Sequence, residues 1–284
     1  MSALGQASPA AWRDRGPPPM IDRTMVARRH LLALALWALT VGAPAGPIAA
    51  APATAAAIEI PLIPDGVTRD PVVARAEDDL DPAAAASRAG GRLLAAIAGV
   101  HRTQVVSTYQ ARTVVDVRRG AYAWDCSGMM TWLLRRSAPR ALAALASTRP
   151  VARDYVRAIV RAPLGRPRRG WQRLGHVRDA RPGDVFAFLK SPVSASKITG
   201  HVGVVVGVPA EVPGWPGAYA VRVVDSTRGG HQDDVRADDL DGGFGFGTMV
   251  FVTDADGVVT SYGWIGTRSP WLMPTTVVFG RVTA

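Results

Sequence analysis

The sequence predicts an α+β fold in which helices come first and strands second. Apolar residues recur with helical spacing from about residue 82 to about residue 160. After residue 180 they alternate as in strands, and Pro and Gly separate the alternating segments. This order predicts N-terminal helices packed on an antiparallel β-sheet. Of the 284 residues 48% are hydrophobic and 20% are charged, which indicates a globular protein.

Residues 1–50 have the features of an export signal. Arg28 and Arg29 precede an apolar stretch from Leu31 to Val41, and small residues follow. This order is typical of a secretory signal, and the apolar stretch is too short for a stable membrane span after processing. We therefore expect an exported protein, periplasmic or extracellular, that carries either an ordinary or a twin-arginine signal. An uncleaved anchor or a buried helix is the alternative.

Residues 51–82 are rich in Ala and Pro and are predicted to form a linker, so that one domain spans residues 83–284. The first helix of this domain is predicted from the apolar stripe Leu93, Leu94, Ile97 and Val100. A second helix is predicted to begin at Cys126, and two more to begin near Pro139 and near Val151.

Six segments after residue 180 are predicted to be strands, because β-branched and aromatic residues dominate them. They are residues 184–189, 201–208, 219–224, 248–253, 258–264 and 274–281. The glycine-rich segment 242–247 lacks the spacing of a phosphate-binding loop. We interpret it as an approach to the sheet that needs small residues.

Cys126 is the only cysteine of the chain, so an internal disulfide is excluded. Asp125 can cap the helix that follows, which places Cys126 at the positive end of the helix dipole and favours the thiolate. The free backbone N–H groups of the same turn could stabilise an oxyanion. The alternative is a small buried residue without chemistry, since free cysteine is among the most buried residue types.

Three motifs resemble the NlpC/P60 family of cysteine peptidases, in the expected order. They are DCSG (125–128) before an apolar helix, RPGDVFAF (181–188) and GHVGVVVG (200–207). The resemblance covers about residues 105–230 and implies a papain-like (NlpC/P60-type) fold. It also implies a cysteine hydrolase that cleaves amide bonds without a cofactor, typically in the peptide stems of cell-wall peptidoglycan.

By the same resemblance, His201 is the general base that acts on Cys126. The third group of the family is a polar residue, often histidine, on the following strand. Asp225 takes that place, and its carboxylate could orient the imidazole. Tyr109 is assigned to the oxyanion, although the Gly-Gly that usually follows this tyrosine is missing. Asp125 and Ser127, which flank the cysteine, complete the predicted oxyanion and substrate site, and no metal is predicted.

Each of these residues also has a purely structural interpretation. His201 could be a structural histidine at the start of a strand, and Asp225 could begin a turn. Tyr109, like Tyr122, could be a half-buried aromatic residue.

Two neighbouring features bear on the same site. Gly203 shares a strand face with His201, which predicts close packing against another element, and the cysteine helix is the candidate. The polar cluster of His231, Asp233 and Asp234 offers few ligands for a metal ion. We interpret this cluster as part of a substrate-side loop or of a solvated turn.

The formal net charge of +10 is concentrated in one segment. Between residues 135 and 173, 11 arginines face a single acid, Asp154. We expect a basic helical insertion at about residues 138–175, beside the cleft, that binds peptidoglycan or another anionic cell-envelope polymer. Nucleic acid is not an expected partner, because few aromatic residues are available to stack on bases. The alternative is that the basic segment is only a solvated face of an arginine-rich protein. The sequence predicts no oligomeric state.

Two other functions stay open at this point. The same Cys–His pair could carry out acyl transfer, or cut amides that are not part of the wall. The domain could instead be a catalytically silent envelope-binding module that works through its arginine segment. Thiol alkylation discriminates between these classes, because a catalytic thiolate reacts fast near neutral pH and a buried structural thiol does not.

Overall fold

The computed structural model describes residues 80–284, apart from residues 195–196, 232, 237–241, 264–271 and 284. The predicted signal (1–50) and most of the predicted linker (51–82) lie outside the described residues. No helix in the described part of the chain combines the length and the apolar character that crossing a membrane requires.

Four α-helices are described, and their positions agree with the sequence prediction. They are α1 (Arg88–Thr103), α2 (Cys126–Ser137), α3 (Pro139–Ala143) and α4 (Ala152–Arg161). The predicted apolar stripe of α1 is buried. The second helix begins at Cys126 because the Oδ1 atom of Asp125 accepts a hydrogen bond from the Gly128 N–H at 2.6 Å.

A small sheet that the sequence did not predict precedes α2. Its strands are β1 (Val106–Tyr109), β2 (Val114–Asp116) and β3 (Ala121–Trp124). The strand β3 lies in the centre, parallel to β1 and antiparallel to β2. The register places Tyr109 opposite Trp124, so this sheet brings Tyr109 next to the residues that start the cysteine helix.

The remaining strands build a closed antiparallel β-barrel. They are β4 (Trp171–Arg173), β5 (Asp184–Leu189), β6 (Gly200–Val205), β7 (Ala210–Glu211), β8 (Ala218–Thr227), β9 (Gly243–Thr253), β10 (Val259–Gly263) and β11 (Leu272–Val282). Six of these pair in the order β10, β9, β8, β6, β5, β11. Because β10 also pairs with β11, the ring of six strands is closed. The strand β4 pairs with the end of β11, at Gly280–Val282. The strand β7 pairs with Tyr219 and Ala220, near the start of β8.

The predicted papain-like (NlpC/P60-type) α+β fold, with N-terminal helices packed on an antiparallel sheet, is therefore wrong. The predicted strands are present, and α1, α2 and α4 pack against them. However, strands dominate the domain, and their sheet has no free edges at β10 and β11. The barrel closes because β10 pairs with a strand on each side. The alternation of apolar and polar residues within one strand does not specify such a pairing.

The two largest apolar cores lie on opposite faces of the barrel wall. The interior core receives side chains from all six ring strands, among them Phe186, Val205, Val223, Phe251, Val259 and Phe279. The outer core lies between the barrel and the helices, where Val202 and Val204 of β6 pack.

Side chains alternate along a strand, so His201 and Gly203 point to the same side as Val205, the barrel interior. A Cβ atom at Gly203 would lie 2.7 Å from the ring of Phe186. The prediction that Gly203 leaves room for the cysteine helix is therefore wrong, because the glycine makes room for an interior phenylalanine.

The basic segment at residues 138–175 contains a strand as well as helices. Its apolar residues Tyr155, Ile159 and Trp171 belong to the outer core, and β4 pairs with β11. The arginines of the segment are exposed, apart from the half-buried Arg173. One side of this segment is thus integrated into the domain, and the other presents positive charge to solvent.

Candidate active site

The structure brings Cys126, His201 and Asp225 together at one end of the barrel. His201 lies at the start of β6 and Asp225 near the end of the antiparallel neighbour β8. The His201 Nε2 atom lies 2.6 Å from Oδ2 of Asp225. The Cys126 thiol lies near the His201 ring, close enough for its charge to raise the pKa of that ring. Because Nε2 faces the aspartate, Nδ1 is the ring nitrogen left for the thiol.

The electrostatics of His201 favour its protonated form. Burial lowers the pKa of His201, but the negative charges of Cys126 and Asp225 and the hydrogen bonds to both outweigh burial and raise the pKa to about 10. An imidazole with this pKa holds a proton at neutral pH. A protonated imidazole beside a cysteine side chain is the arrangement that a cysteine nucleophile would require.

Asp225 is fully buried and is bonded on both of its carboxylate oxygens. His231 Nε2 lies 2.6 Å from Oδ2, the same oxygen that faces His201, and Arg236 Nη2 lies 2.5 Å from Oδ1. Burial raises the pKa of Asp225, but the positive charges of His231, Arg236 and His201 hold it well below its usual range. The carboxylate stays ionised, which is the form that orients an imidazole.

Sequence reasoning missed two residues of this network, His231 and Arg236. The sequence assigns His231 to a substrate-side loop or a solvated turn with Asp233 and Asp234, whereas its side chain is only 2% exposed and contacts Asp225. Arg236 was not singled out. Its Nη1 atom also pairs with Asp234 at 2.5 Å, and its Nη2 atom donates to the Gly245 carbonyl at 2.9 Å, which holds Arg236 against β9.

The signal that could have located both residues lies in the alternating glycines of β9. Gly245 is paired with Asp225, and Gly247 lies two residues further along the same face. A Cβ atom at Gly245 would lie 2.5 Å from the Arg236 side chain, and one at Gly247 would lie 2.5 Å from Cβ of His231. The bare strand face therefore accommodates the two side chains that hold Asp225.

Tyr109 lies beside the proposed nucleophile, and Tyr122 does not. Burial, followed by the negative charges of Cys126 and Asp125, raises the pKa of Tyr109 to about 12. The hydroxyl therefore stays protonated and can donate a hydrogen bond. Tyr122 packs in the core against Trp124, and its hydroxyl is bonded to a threonine.

Asp125 and Ser127 form the start of α2 and line a cleft. Asp125 Oδ1 accepts hydrogen bonds from the Gly128 N–H at 2.6 Å and from Ser127 Oγ at 2.8 Å. The cleft beside them has a volume of about 550 Å³ and is also lined by Arg112, Arg135 and Arg149. Asp125 thus acts in the structure as a helix cap, at the edge of a basic cleft.

His201, Asp225 and His231 also present three ligand atoms that lie within 4.8 Å of one another. Nitrogen and oxygen donors of this kind can bind zinc. However, both imidazoles already bond to Oδ2 of Asp225, and Arg236 bonds to Oδ1. A cation would break these bonds and would stand beside a guanidinium, so the donor set fits a hydrogen-bond network better.

No protein-family model, curated protein or solved structure matches the chain. The resemblance to the NlpC/P60 motifs stays a prediction. The function of the chain is therefore inferred from the geometry of the site.

Proposed function

We propose that this chain is an exported cysteine hydrolase that cleaves amide bonds, with the peptide stems of peptidoglycan as its substrate class. One observation supports this more than any other. The Cys126 thiol, at the N-terminus of α2, lies near enough to His201 to raise the pKa of that ring, and the Nε2 atom of His201 lies 2.6 Å from the buried Asp225. A candidate nucleophile, a base and a group that orients the base thus lie side by side.

In the first half of the proposed reaction, the Cys126 thiolate attacks the carbonyl carbon of the amide and forms a C–S bond. The carbonyl oxygen becomes an oxyanion, which the free N–H groups of α2 and the Tyr109 hydroxyl stabilise. The His201 imidazolium then donates its proton to the leaving amine as the C–N bond breaks. An acyl-enzyme remains, and His201 is neutral.

In the second half, His201 accepts a proton from water as the water oxygen attacks the thioester carbon. The C–S bond breaks, the carboxylic acid product leaves, and the thiolate–imidazolium pair is restored. Asp225 keeps the imidazole in one orientation throughout and offsets its positive charge. None of these steps uses a cofactor.

The arginines of the cleft support an anionic substrate. Arg112, Arg135 and Arg149 line the same cleft as Asp125 and Ser127, the two residues that flank Cys126 in the sequence. The guanidinium groups of these arginines could bind carboxylates of a substrate through paired hydrogen bonds. Peptide stems of peptidoglycan carry free carboxylates, and so do other anionic polymers of the cell envelope.

The decisive test is the rate of iodoacetamide alkylation of Cys126 as a function of pH, in the wild type and in His201→Ala. We expect fast alkylation at pH values below about 8.5, the ordinary pKa of a free thiol, and loss of this reactivity in the variant. His176→Ala, which changes a half-buried histidine elsewhere, is the matched control and should react like the wild type. Slow alkylation at every pH at which the protein stays folded would make Cys126 a packing residue.

Substrate turnover gives the second readout. Cys126→Ala and His201→Ala should each abolish the release of peptide from peptidoglycan stem fragments while far-UV circular dichroism stays unchanged. Full turnover by either variant would refute the mechanism. Addition of an amine acceptor distinguishes acyl transfer, because the acyl group would then be recovered on the amine. A silent binding module would retain polymer in both variants and show no turnover in the wild type.

A further inference from the structure

A second cleft lies beside α4, and arginines dominate its polar lining. Its volume is about 440 Å³. Arg157 and Arg161 come from α4, and Arg168 and Arg169 come from the hairpin that leads into β4. The one acid that lines it is Asp154, whose carboxylate is engaged in capping α4 through the Val151 N–H at 3.0 Å. We call these four arginines and the space between them the arginine cleft.

The charges of the arginine cleft are not compensated within the described part of the protein. All four arginines are exposed. The ion pairs between described residues lie elsewhere, and none includes these four arginines. Arg153, Arg157 and Arg161 also follow one another at intervals of four residues along α4, where like charges repel. This arrangement destabilises the helix in isolation, and a bound anion would remove the repulsion.

The hairpin holds its two arginines in a rigid turn with unfavourable backbone geometry. Two hydrogen bonds between Arg168 and Trp171, of 2.7 and 3.0 Å, close a two-residue turn. Both residues of the turn have positive φ, 51° at Arg169 and 84° at Gly170. Glycine, asparagine and aspartate are favoured at the first of these positions, and a long side chain there is strained.

The turn is fixed to the rest of the domain by its neighbour. Trp171 is 1% exposed, and its indole Nε1 donates to the Ala141 carbonyl at 2.8 Å. The backbone positions from which Arg168 and Arg169 project are therefore defined in advance of binding. Strained residues that the surrounding structure holds in place are a recurring feature of ligand sites.

We propose that the arginine cleft is a binding site for an oligo-anion that carries several phosphate groups, such as a condensed phosphate or a phosphodiester polymer without bases. Planar guanidinium groups match the geometry of phosphate oxygens, and groups on α4 and on the hairpin would engage successive phosphates. The aromatic residue of the cleft, Trp171, is buried and cannot stack on a base, which disfavours nucleic acid. The arginine cleft contains no group of the proposed catalytic site, so a test of anion binding does not depend on the proposed hydrolysis.

The test is calorimetric titration of the full chain, carrying Cys126→Ala so that no turnover occurs, with tripolyphosphate at low salt. We expect saturable binding that weakens at least about tenfold in the double variant Arg157→Gln/Arg161→Gln and falls steeply with added salt. Arg118→Gln changes an exposed arginine in the turn between β2 and β3 and should bind like the parent. Equal weakening in this control, or no binding by the parent protein, would overturn the proposal.

Arg169→Asn separates charge from folding. Asparagine tolerates positive φ, so the variant should keep the turn and show an unchanged or higher Tm while it binds tripolyphosphate more weakly. Undiminished binding by this variant and by the double variant together would overturn the site. Comparison of tripolyphosphate with a glycerol-phosphate oligomer identifies the source of the phosphates. Tighter binding of a single-stranded oligonucleotide than of either would overturn the stated ligand class.

Discussion

The barrel end and the arginine cleft use charged groups in opposite ways. At the barrel end, Asp225 is fully buried, and His201, His231 and Arg236 bond to its two oxygens. In the arginine cleft, the guanidinium groups are exposed and have no carboxylate partner among the described residues. Buried, paired charges set the protonation of their neighbours, whereas exposed, unpaired charges are available to an anion from outside. The two regions should therefore respond differently to substitution, pH and salt.

The largest difference is expected when one charge is removed from each region. Asp225→Asn removes the buried charge that His201, His231 and Arg236 share and leaves Arg236 with Asp234 as its remaining carboxylate partner, so we expect a loss of about 3–5 kcal/mol in the free energy of unfolding. Arg157→Gln removes an exposed charge and should change this free energy by no more than about 0.5 kcal/mol. Urea unfolding of both variants measures the two values. Similar losses in both would mean that the contrast between the regions does not exist.

A methyl group added to β9 tests whether the glycines of this strand are needed to accommodate the side chains that hold Asp225. The Cβ of Gly247→Ala would lie 2.5 Å from Cβ of His231. We expect a loss of about 1–3 kcal/mol from overpacking, together with slower alkylation of Cys126 because Asp225 is displaced. Gly229→Ala, whose Cβ would meet no atom within 4 Å, is the control. If both variants alkylate at the wild-type rate, His231 has no role in positioning the site.

The pH dependence of stability separates the regions further. The pKa of His201 is raised to about 10, so its stabilising contribution is complete below its unfolded pKa of about 6.5 and is lost as the pH rises through 10. The free energy of unfolding should therefore fall between these pH values, by at most about 1.4 kcal/mol per pH unit. His201→Ala should flatten the slope, and Arg161→Gln should leave it unchanged. Equal slopes in wild type and His201→Ala would contradict the raised pKa.

The smallest effect is expected from salt on the reactivity of the cysteine. Cys126 is buried and the His201 side chain is only 13% exposed, so ions in solution screen the pair little. Raising the salt concentration from about 50 to about 200 mM should change the alkylation rate less than about twofold. Binding of tripolyphosphate in the arginine cleft should weaken strongly over the same range. A strongly salt-dependent alkylation rate would place the thiol in an exposed, screened environment.

Local signals in the sequence predicted the elements that carry the site. Asp125 is a typical helix cap, so the start of α2 at Cys126 could be predicted. The strands that carry His201 and Asp225 follow from their β-branched residues, and the structure brings both side chains to the cysteine. Their catalytic roles remain predictions. The starting positions of α3 and α4 were also predicted from sequence.

Features that depend on distant contacts could not be predicted in the same way. The barrel closes only because β10 pairs with both β9 and β11, and the sequence of β10 does not specify two partners. The strands β1 and β2 are short and partly exposed, so they lack the apolar alternation that reveals a strand. His231 lies in a polar loop, and its burial depends on glycines that follow more than ten residues later. In each case the decisive interaction is made by a residue remote in sequence.

The depth of Cys126 limits which molecules the proposed enzyme can attack. The residue is only 6% exposed, and the helix that it begins contacts β3, β6 and β8. A folded protein presents its peptide bonds on a convex surface, where a thiol as buried as this one cannot reach them. A flexible stem peptide can be drawn in as a single extended strand. The proposed enzyme would therefore spare folded proteins through the burial of its thiol.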